Sequence, residues 1–436
     1  MHMLPREPKV PLGPYRGVGR PVSTFVMERL IDMAAVKLAI DPVQMRLKNL
    51  IRDDEFPYKA ASGIIWDRSA FIECLELACK KLDYPSLRAM QEKARAAGRW
   101  IGIGIASYAE LTGIGSKIPA APGMPVNTGT ETATIRIDAT GAVTAIFGVA
   151  SHGQGLETTL AQVIADDLGV RIEDIRVIQG DTAGRAYVTG TYASRSTVLA
   201  GGAAKLAAGA VREQVMRVAS HLMEAAVEDL DASNGQIFVR GTDRRMSFKE
   251  LARKVYVEFA RLPKDLQQEL EATRLYDPIT GTTSCAAHIA IVEVDPITYQ
   301  VQVLKYAVAE DCGRVINPMI VEGQVHGGVA QGIGAALLEE VVYSEDGQLM
   351  TGSLMDYVLP SATEIPAMDV LHVEAESPTT LGGFRGMGEG GTIGAPAAIA
   401  NAVSDALAPL GVEVNELPVT PERIYRLLEQ IRNKTN

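Results

Sequence analysis

The sequence has few cysteines, and none of them lies in a metal-binding motif. Its 436 residues include Cys74, Cys79, Cys285 and Cys312, and no two of these form a CxxC pair. An iron–sulfur cluster needs more closely spaced thiolates, and the six histidines show no zinc-finger spacing. The sequence therefore predicts reduced, partly buried thiols. If the chain performs redox chemistry, its electrons must leave through another polypeptide.

Long apolar runs and an excess of positive charge are also missing. No stretch of 18 apolar residues could form a transmembrane helix, and the first residues lack the apolar segment of a signal peptide. The net charge of −11 argues against a general nucleic-acid or anionic-membrane binder. These features predict a cytoplasmic protein with no membrane span and no nucleic-acid partner.

No common catalytic motif is present, since the sequence contains no Walker sequence, HExxH or GxSxG. What stands out instead is a glycine-rich stretch at residues 382–394. It holds seven glycines, Arg385 and one carboxylate, Glu389, and an apolar helical pattern follows at residues 395–407. Dense glycine lets the backbone approach another molecule closely. We therefore predict that Glu389 points at a ligand and acts as a general base.

The chain contains one long-range repeat of a strand hairpin, a loop and a helix with glycine and glutamine. Its first copy leads to Gln154 within Gly153-Gln154-Gly155, and its second leads to Gln331. The repeat predicts an α+β fold with two related hairpin-plus-helix lobes, at residues 99–283 and 284–436, around one cleft. Each lobe would bring one glutamine to that cleft. Residues 225–283 read as a polar, helical insertion, and the strand at residues 100–108 is assigned to the first lobe.

Two further segments have the composition of ligand-binding loops. Residues 190–197 (GTYASRST) are rich in hydroxyl groups around one arginine and precede a long helix, an arrangement that suits phosphate oxygens. Ordinary helix capping by Ser and Thr explains the segment equally well. Residues 14–21 (PYRGVGRP) carry Arg16 and Arg20 between glycines, which indicates close approach of the backbone to a neighbour.

With these motifs assembled, the chain resembles the molybdenum-binding large subunit of the xanthine dehydrogenase/aldehyde oxidase/aerobic carbon monoxide dehydrogenase family. The resemblance rests on five motifs in order. They are PYRGVGRP, SHGQGLETTLAQ, GTYASRST, GQVHGGVAQGIGAALLEE and GFRGMGEGGTIGAPAAIANAVSDAL. It implies the molybdopterin-binding fold of that family. Residues 1–98 would end a first cofactor-binding domain, with the active-site loop at 14–21, and residues 99–436 would form the second.

The resemblance also implies roles for individual residues. Glu389 matches the catalytic base, which takes a proton as water-derived oxygen is inserted at an electron-poor carbon of an N-heterocycle or aldehyde. Arg16 matches an arginine that orients substrate or stabilises developing negative charge. The implied cofactor-binding residues are Gly153, Gln154, Gly155, Ala193, Ser194, Arg195, Ser196, Thr197, Gln331 and Gly388. No side chain is expected to coordinate the metal, because the pterin dithiolene holds it.

The implied cofactor is molybdopterin cytosine dinucleotide, carrying molybdenum with oxo and sulfido ligands. Implied partners are a [2Fe–2S] small subunit and an FAD medium subunit, which receive the electrons. The chain begins almost at the active-site loop, whereas the family has a long upstream part. We therefore expect a naturally split large subunit whose N-terminal half is a separate chain, the alternative being a truncated product.

One departure from the family limits the reaction. The copper-containing carbon monoxide dehydrogenases have a cysteine in the active-site loop, and this chain has Gly17 and Val18 there. Carbon monoxide oxidation at a copper centre is therefore not expected. Two alternatives to a hydroxylase stay open, namely a reductive dehydroxylase with the same site and a non-catalytic cofactor-insertion or scaffold paralogue.

Overall fold

The computed structural model describes residues 13–118, 129–184, 190–267 and 269–435, which form an α+β fold. Ten α-helices lie in the described residues: α1 Arg20–Leu38, α2 Pro42–Leu47, α3 Phe71–Leu82, α4 Tyr84–Ala96, α5 Leu156–Leu168, α6 Ser196–Met223, α7 Phe248–Tyr256, α8 Pro318–Leu337, α9 Gly390–Leu407 and α10 Pro421–Thr435. The same residues contain thirteen strands: β1 Tyr58–Lys59, β2 Ile65–Trp66, β3 Trp100–Thr112, β4 Glu131–Ile137, β5 Val143–Phe147, β6 Ile175–Ile178, β7 Leu230–Ser233, β8 Gln236–Val239, β9 Arg245–Ser247, β10 Glu271–Tyr276, β11 Thr282–Val294, β12 Val301–Asp311 and β13 Met368–His372.

Two four-stranded sheets share one topology. The first has the order β10-β4-β5-β6 and the second the order β3-β11-β12-β13. In each, a central antiparallel hairpin has an antiparallel strand on one side and a parallel strand on the other. A helix connects the hairpin to the parallel strand, α5 in the first sheet and α8 in the second. We call each sheet with its helices a lobe, and the predicted pair of related lobes is thus confirmed.

The first lobe packs helices α5 and α6 on its sheet. Alternate residues of β4, namely Ala133, Ile135 and Ile137, are buried in one cluster with the apolar residues of these helices. Thr134 and Arg136 alternate with them and belong to the other face of the strand. This period of two is the pattern of a strand with one face on a core.

The second lobe buries both faces of its sheet. Even-numbered residues of β11, such as Ala286 and Ala290, lie in a core with α8 and α9. Odd-numbered residues, such as Ala287 and Ile289, lie in another core with α3 and α4. Because both faces are covered, β11 reads as an almost unbroken run of buried residues rather than an alternating one. Helix α1 also packs on α9, which attaches the N-terminal segment to this lobe.

Helix α9 is the central helix of the second lobe. A Cβ on Gly104 of β3 would lie 2.0 Å from the backbone oxygen of Ala398, so the strand accepts the helix only because this residue is glycine. The segment Gly390–Leu410 is long and apolar enough for a membrane span, and 78% of its most apolar window is buried inside the protein. Its composition is accounted for by its position in the core.

The structure corrects three sequence-based expectations. The sequence places strand β3 in the first lobe, yet β3 pairs along its whole length with β11 and forms an edge of the second sheet. The supposed helical insertion at 225–283 contains the small sheet β7-β8-β9 and β10, which completes the first sheet. Helix α9 begins at Gly390, five residues before the predicted start at 395. The division into domains at residues 98 and 99 stays a prediction.

Candidate active site

A cleft of about 550 Å³ lies between the two lobes. Its walls come from the loops that precede the main helices of both lobes and from the loop before α1. The sequence-predicted site residues that line it are Arg16, Gly153, Gln154, Ala193, Ser194, Arg195, Ser196, Thr197, Gln331, Gly388 and Glu389. Residues as far apart in sequence as Arg16 and Gly388, 372 positions, are thus brought together at one place.

Four helices direct their N-termini toward this cleft. Residues at or next to the first turns of α5, α6, α8 and α9 line it, including Leu156, Ser196, Asn317 and Glu389. The first turn of a helix presents unpaired backbone N–H groups and a partial positive charge. Arginine side chains, among them Arg16 and Arg314, add full positive charges to the wall. The cleft is therefore suited to a large anionic ligand.

Glu389 is the N-cap residue of α9 and is 7% exposed. Its Oε2 accepts a hydrogen bond of 2.9 Å from Nη1 of Arg20, and its backbone N–H donates to Oγ of Ser194 at 3.1 Å. The ion pair fixes the carboxylate at the wall. Among the residues that the structure describes, Glu389 is the one carboxylate that lines the cleft.

Arg16 connects three parts of the site. Its Nε donates to the backbone oxygen of Gly388 at 2.6 Å, and Nη2 donates to the backbone oxygen of Gln324 on α8 at 3.0 Å. Nη1 reaches Oε1 of Gln331 at 3.4 Å. Burial lowers the pKa of Arg16, and the charge of Glu389 opposes that shift. Arg16 thus ties the loop before α1 to α8 and to the residue next to Glu389.

The two glutamines of the repeat lie at the same cleft but have different partners. Gln331 accepts from Arg16 and donates through Nε2 to the hydroxyl of Tyr15. Gln154 turns toward its own loop, where Oε1 accepts the backbone N–H of His152 at 2.7 Å. Gln331 therefore holds a neighbouring segment in place, whereas Gln154 orders the turn on which it sits.

The segment 193–197 packs directly on the glycine-rich loop. Ala193 and Ser194 have left-handed backbones, with φ of 49° and 50°, a conformation that costs energy and concentrates at functional sites. A Cβ on Gly386 would lie 1.7 Å from the backbone oxygen of Ser194. The two lobes therefore meet here at a distance that only glycine permits.

The other residues predicted in this region differ in what their side chains do. Arg195 lines the cleft, but its Nη1 and Nη2 donate to the backbone oxygens of Gly190 and Thr130 at 2.7 and 3.1 Å, which holds the loop. The hydroxyl of Ser196 donates to that of Thr191 at 3.0 Å. Gly155 caps α5 behind the lining residues and lies against Ile320.

Arg385, the basic residue of the glycine-rich stretch, anchors the loop from behind. Its side chain has no exposed surface and forms ion pairs with Asp67 at 3.3 Å and with Asp311 at 3.8 Å. It also donates to the backbone oxygen of Ala375 at 2.8 Å. These contacts fix the loop relative to the second sheet.

Besides Arg314 in the wall of the cleft, Arg20 and Glu110 were not among the predicted site residues. The sequence singles out Arg20 only as part of the arginine loop, and Glu110 lies two residues beyond the predicted end of its strand. Nη1 of Arg20 lies 3.7 Å from Oε1 of Glu110, and Glu110 is completely buried. A charged residue in an otherwise uncharged strand is the sequence signal that could have indicated Glu110.

Comparison with known proteins identifies the fold family. A family model described as a molybdopterin cofactor-binding domain matches residues 77–366, and a second model of the same description matches residues 6–50. The chain belongs to the molybdopterin cofactor-binding domain family. The resemblance to the molybdenum-binding large subunit that the motifs indicated is confirmed.

Relatives of this molybdopterin-binding chain are subunits of oxidoreductases. It is 40% identical over 424 residues to the nicotine 6-hydroxylase large subunit of Paenarthrobacter nicotinovorans, covering 97% of this chain and 52% of that one. It is 35% identical over 412 residues to the carbon monoxide dehydrogenase large chain of Hydrogenophaga pseudoflava, with coverages of 94% and 51%. The crystal structure of quinoline 2-oxidoreductase from Pseudomonas putida 86 superposes with a TM-score of 0.90 at 42% identity, with coverages of 96% and 53%. The chain thus spans about half the length of the relatives it matches.

The cleft fits the cofactor of the molybdopterin-binding family. Four helix N-termini, the hydroxyls of 194–197 and several arginines offer the hydrogen-bond donors that a phosphate-containing cofactor needs. Within the described residues, no group of three His, Cys, Asp or Glu side chains could hold a metal ion. The donors present therefore suit the organic part of the cofactor rather than direct coordination of its metal.

Proposed function

We propose that this chain is the catalytic part of a molybdenum hydroxylase that inserts water-derived oxygen at an electron-poor carbon. The observation that supports this function is Glu389, a carboxylate at the wall of a cleft whose other polar side chains are mainly amides, hydroxyls and cations. A lone carboxylate in such surroundings suits general-base work, because no other acidic side chain among the described lining residues competes for the proton.

The proposed cofactor is molybdopterin cytosine dinucleotide. Residues 193–197 and the first turns of α5 and α6 would hold its phosphates, and Gln154, Gln331 and Gly388 would border its metal end. When bound, the cofactor supplies oxygen transfer and a two-electron redox centre. The chain's own contribution is to bind and orient it, through backbone N–H groups that cost little to order.

Glu389 would accept the proton that the water-derived oxygen loses during its insertion into the substrate. Arg20 keeps its carboxylate oriented toward the cleft through the 2.9 Å ion pair. Arg16 would stabilise negative charge that develops on the substrate, because its guanidinium lies beside Gly388 and Gln331. Burial of Glu389 limits access of bulk water to the proton that it takes.

The substrate proposed is an N-heterocycle, with aldehydes as the second class. The relatives at 40% and 42% identity carry nicotine and quinoline in their names, and both of these compounds contain a nitrogen ring that makes adjacent carbons electron-poor. Gly17 and Val18 provide no thiolate in the loop beside Arg16, so oxidation of carbon monoxide at a copper centre is not proposed.

The active assembly is proposed to contain further chains in the cytoplasm. A polypeptide carrying the N-terminal half of the molybdenum subunit would complete the pocket, and [2Fe–2S] and FAD subunits would carry the electrons away. The chain's own cysteines do not provide a cluster site, since Cys74, Cys285 and Cys312 are buried free thiols and Cys79 is a partly buried one. Electrons from the reaction would therefore have to leave through the [2Fe–2S] and FAD subunits.

The proposal is tested on the complex purified from its native cells through a tag on this chain. Molybdenum, cytidine nucleotide, iron and flavin are measured per chain, and dye-linked turnover is screened with azaheterocycles and aldehydes. We expect all four components and water-derived oxygen in the product, traced with labelled water. If metal-free protein fully supports the function in cells, the proposal that the chain is an enzyme is refuted. If the complex turns over only in the reducing direction, the chain is part of a dehydroxylase rather than a hydroxylase.

A further inference from the structure

Behind Glu389 lies a second carboxyl group that does not reach the cleft. Glu110 sits near the end of β3 with no exposed surface. Nη1 of Arg20 lies 2.9 Å from Oε2 of Glu389 and 3.7 Å from Oε1 of Glu110. One guanidinium nitrogen is thus shared, unequally, by two carboxyl groups.

The hydroxyls of Ser194 and Ser284 both favour the ionised form of Glu110, but burial has the larger effect on its pKa. The hydroxyl of Ser284 on β11 donates to its Oε2 at 3.5 Å, at the limit of hydrogen bonding. Among the described residues, Oε1 of Glu110 accepts no hydrogen bond. The titratable or charged groups that face it are Arg20 on α1, Glu389 before α9, Arg16 in the preceding loop and Tyr108 on β3.

Two carboxylates and one shared cation cannot all be charged at low cost in a buried place. The proton belongs on Glu110, because it is the more buried group and lies farther from Arg20. Burial raises the pKa of Glu110 to about 8, with the charge of Arg20 opposing and that of Glu389 adding to the shift. Burial also raises the pKa of Tyr108 well above its usual value, so that hydroxyl stays neutral.

We propose that Glu110 is a positioning residue for the base: while it is a neutral acid it leaves Arg20 to Glu389, and once ionised it competes for Arg20. This inference rests on the proposed role of Glu389. Ionisation adds a second negative charge beside Glu389 and draws away the cation that orients it. The result is a base that is held for catalysis at neutral pH and released in alkaline solution.

The test compares pH profiles of wild type and Glu110→Gln in the intact complex. The wild-type kcat/KM should fall along an alkaline limb centred near pH 8, the pKa of Glu110. In Glu110→Gln, normalised to its own maximum, that limb should disappear, since glutamine stays neutral and keeps a similar shape. An alkaline limb that is identical in both proteins would overturn the proposal.

A second readout does not depend on turnover. Infrared spectra of protein labelled with ¹³C-glutamate should show a protonated-carboxyl band at neutral pH that fades as pH rises through 8 and is missing in Glu110→Gln. A band unaffected by the substitution would refute the neutral acid even in a cofactor-free preparation. If the carboxyl band behaves as expected but the complex has no turnover, the proposed catalytic function is refuted, whereas the assignment of a neutral Glu110 is still supported.

Ser284→Ala provides an independent variant in case Glu110→Gln fails to fold. Its hydroxyl donates to Glu110, which favours the ionised carboxylate. Removing it should move the fading of the carboxyl band, and the alkaline limb with it, to higher pH. Movement to lower pH, or none in either measurement, would count against the proposal.

Discussion

The first lobe lines the cleft mainly with backbone, amide and hydroxyl groups, whereas the second lobe contributes its carboxylate, Glu389. From the first come the turn at Gly153 and Gln154 and the segment 193–197. From the second come Glu389 and Gln331, with Glu110 behind them on β3 and the arginine loop packed against them. The sheets have the same strand order, so this difference lies in the loops.

This division suggests that holding a ligand and acting on it place different demands on a protein. Many backbone N–H groups can bind an extended anion without introducing a titratable group. A proton transfer needs one carboxylate whose neighbours fix its charge and direction. Substitutions in the first lobe should therefore alter cofactor retention, and those in the second should alter turnover.

Glu389→Gln should show the largest effect. Glutamine keeps the size of the side chain but cannot accept the proton, so we expect turnover to fall by about 10²–10⁴-fold. Molybdenum and nucleotide content should stay near wild type, because the cofactor would be held mainly by the other lobe. The matched control is Glu345→Gln on an exposed loop. Near wild-type turnover in Glu389→Gln would exclude this residue as the base.

Sequence motifs located the lining of the cleft because four of the five motifs lie where a loop enters a helix, and the remaining motif lies mostly within α8. Glycine, hydroxyl and amide residues at such junctions leave a local signal, as at Gln154 and in the segment 193–197. The contact of Arg20 with Glu110 and Glu389 leaves none. Those residues are 90 and 369 positions apart from Arg20, and only the pairing of β3 with the second sheet brings them together.

Tertiary packing also decided where α9 begins. The glycines before residue 395 have low helix propensity, so the sequence predicted a loop. In the structure every residue from Gly390 to Ser404 is buried, because α8 and the second sheet surround the helix. Packing of this kind overrides local propensity. The alternating pattern of β3 predicts a strand, but it does not indicate which sheet that strand joins.

Gly104→Ala should destabilise the second lobe. The new Cβ would lie 2.0 Å from the backbone oxygen of Ala398 and 2.2 Å from the backbone nitrogen of Ala402, so strand and helix must separate. We expect a loss of about 1–3 kcal/mol or more in the free energy of unfolding, measured by urea denaturation. Gly209→Ala on α6 of the first lobe is the control, since nothing lies within 4 Å of its Cβ. Equal stability of the two variants would contradict the close packing of β3 and α9.

Exchange of each repeat glutamine for alanine separates their roles. Gln331→Ala removes a partner of both Arg16 and Tyr15, and we expect kcat/KM to fall about tenfold, equivalent to ~1.4 kcal/mol. Gln154→Ala breaks a bond inside one turn, so its main effect should be on cofactor content. The measurements are kinetics and molybdenum per chain for both variants. The division of labour would fail if Gln154→Ala reduced turnover per molybdenum as much as Gln331→Ala.

The smallest expected effect is on the pH dependence of stability, and it arises at the edge of the second sheet. His372 on β13 hydrogen-bonds through Nδ1 to the buried Glu310 on β12. That hydrogen bond raises the pKa of His372, and burial raises the pKa of Glu310. For each group the folded state binds its proton more tightly than the unfolded state does. The stabilisation from His372 is therefore complete below its unfolded pKa of ~6.5, and it is lost as pH rises through the higher folded value.

His372→Gln should make the stability of the complex less dependent on pH above about 6.5. The expected difference in unfolding free energy is at most about 1 kcal/mol, because solvent screens the partly exposed imidazole. His221→Gln on α6 serves as the first-lobe control, since this exposed histidine has no buried carboxyl partner among the described residues. Thermal unfolding across this pH range compares the two. If both variants show the wild-type pH dependence of thermal unfolding, the His372–Glu310 pair does not contribute to it. The charged contacts of the second lobe would then be important at its cleft rather than at the edge of its sheet.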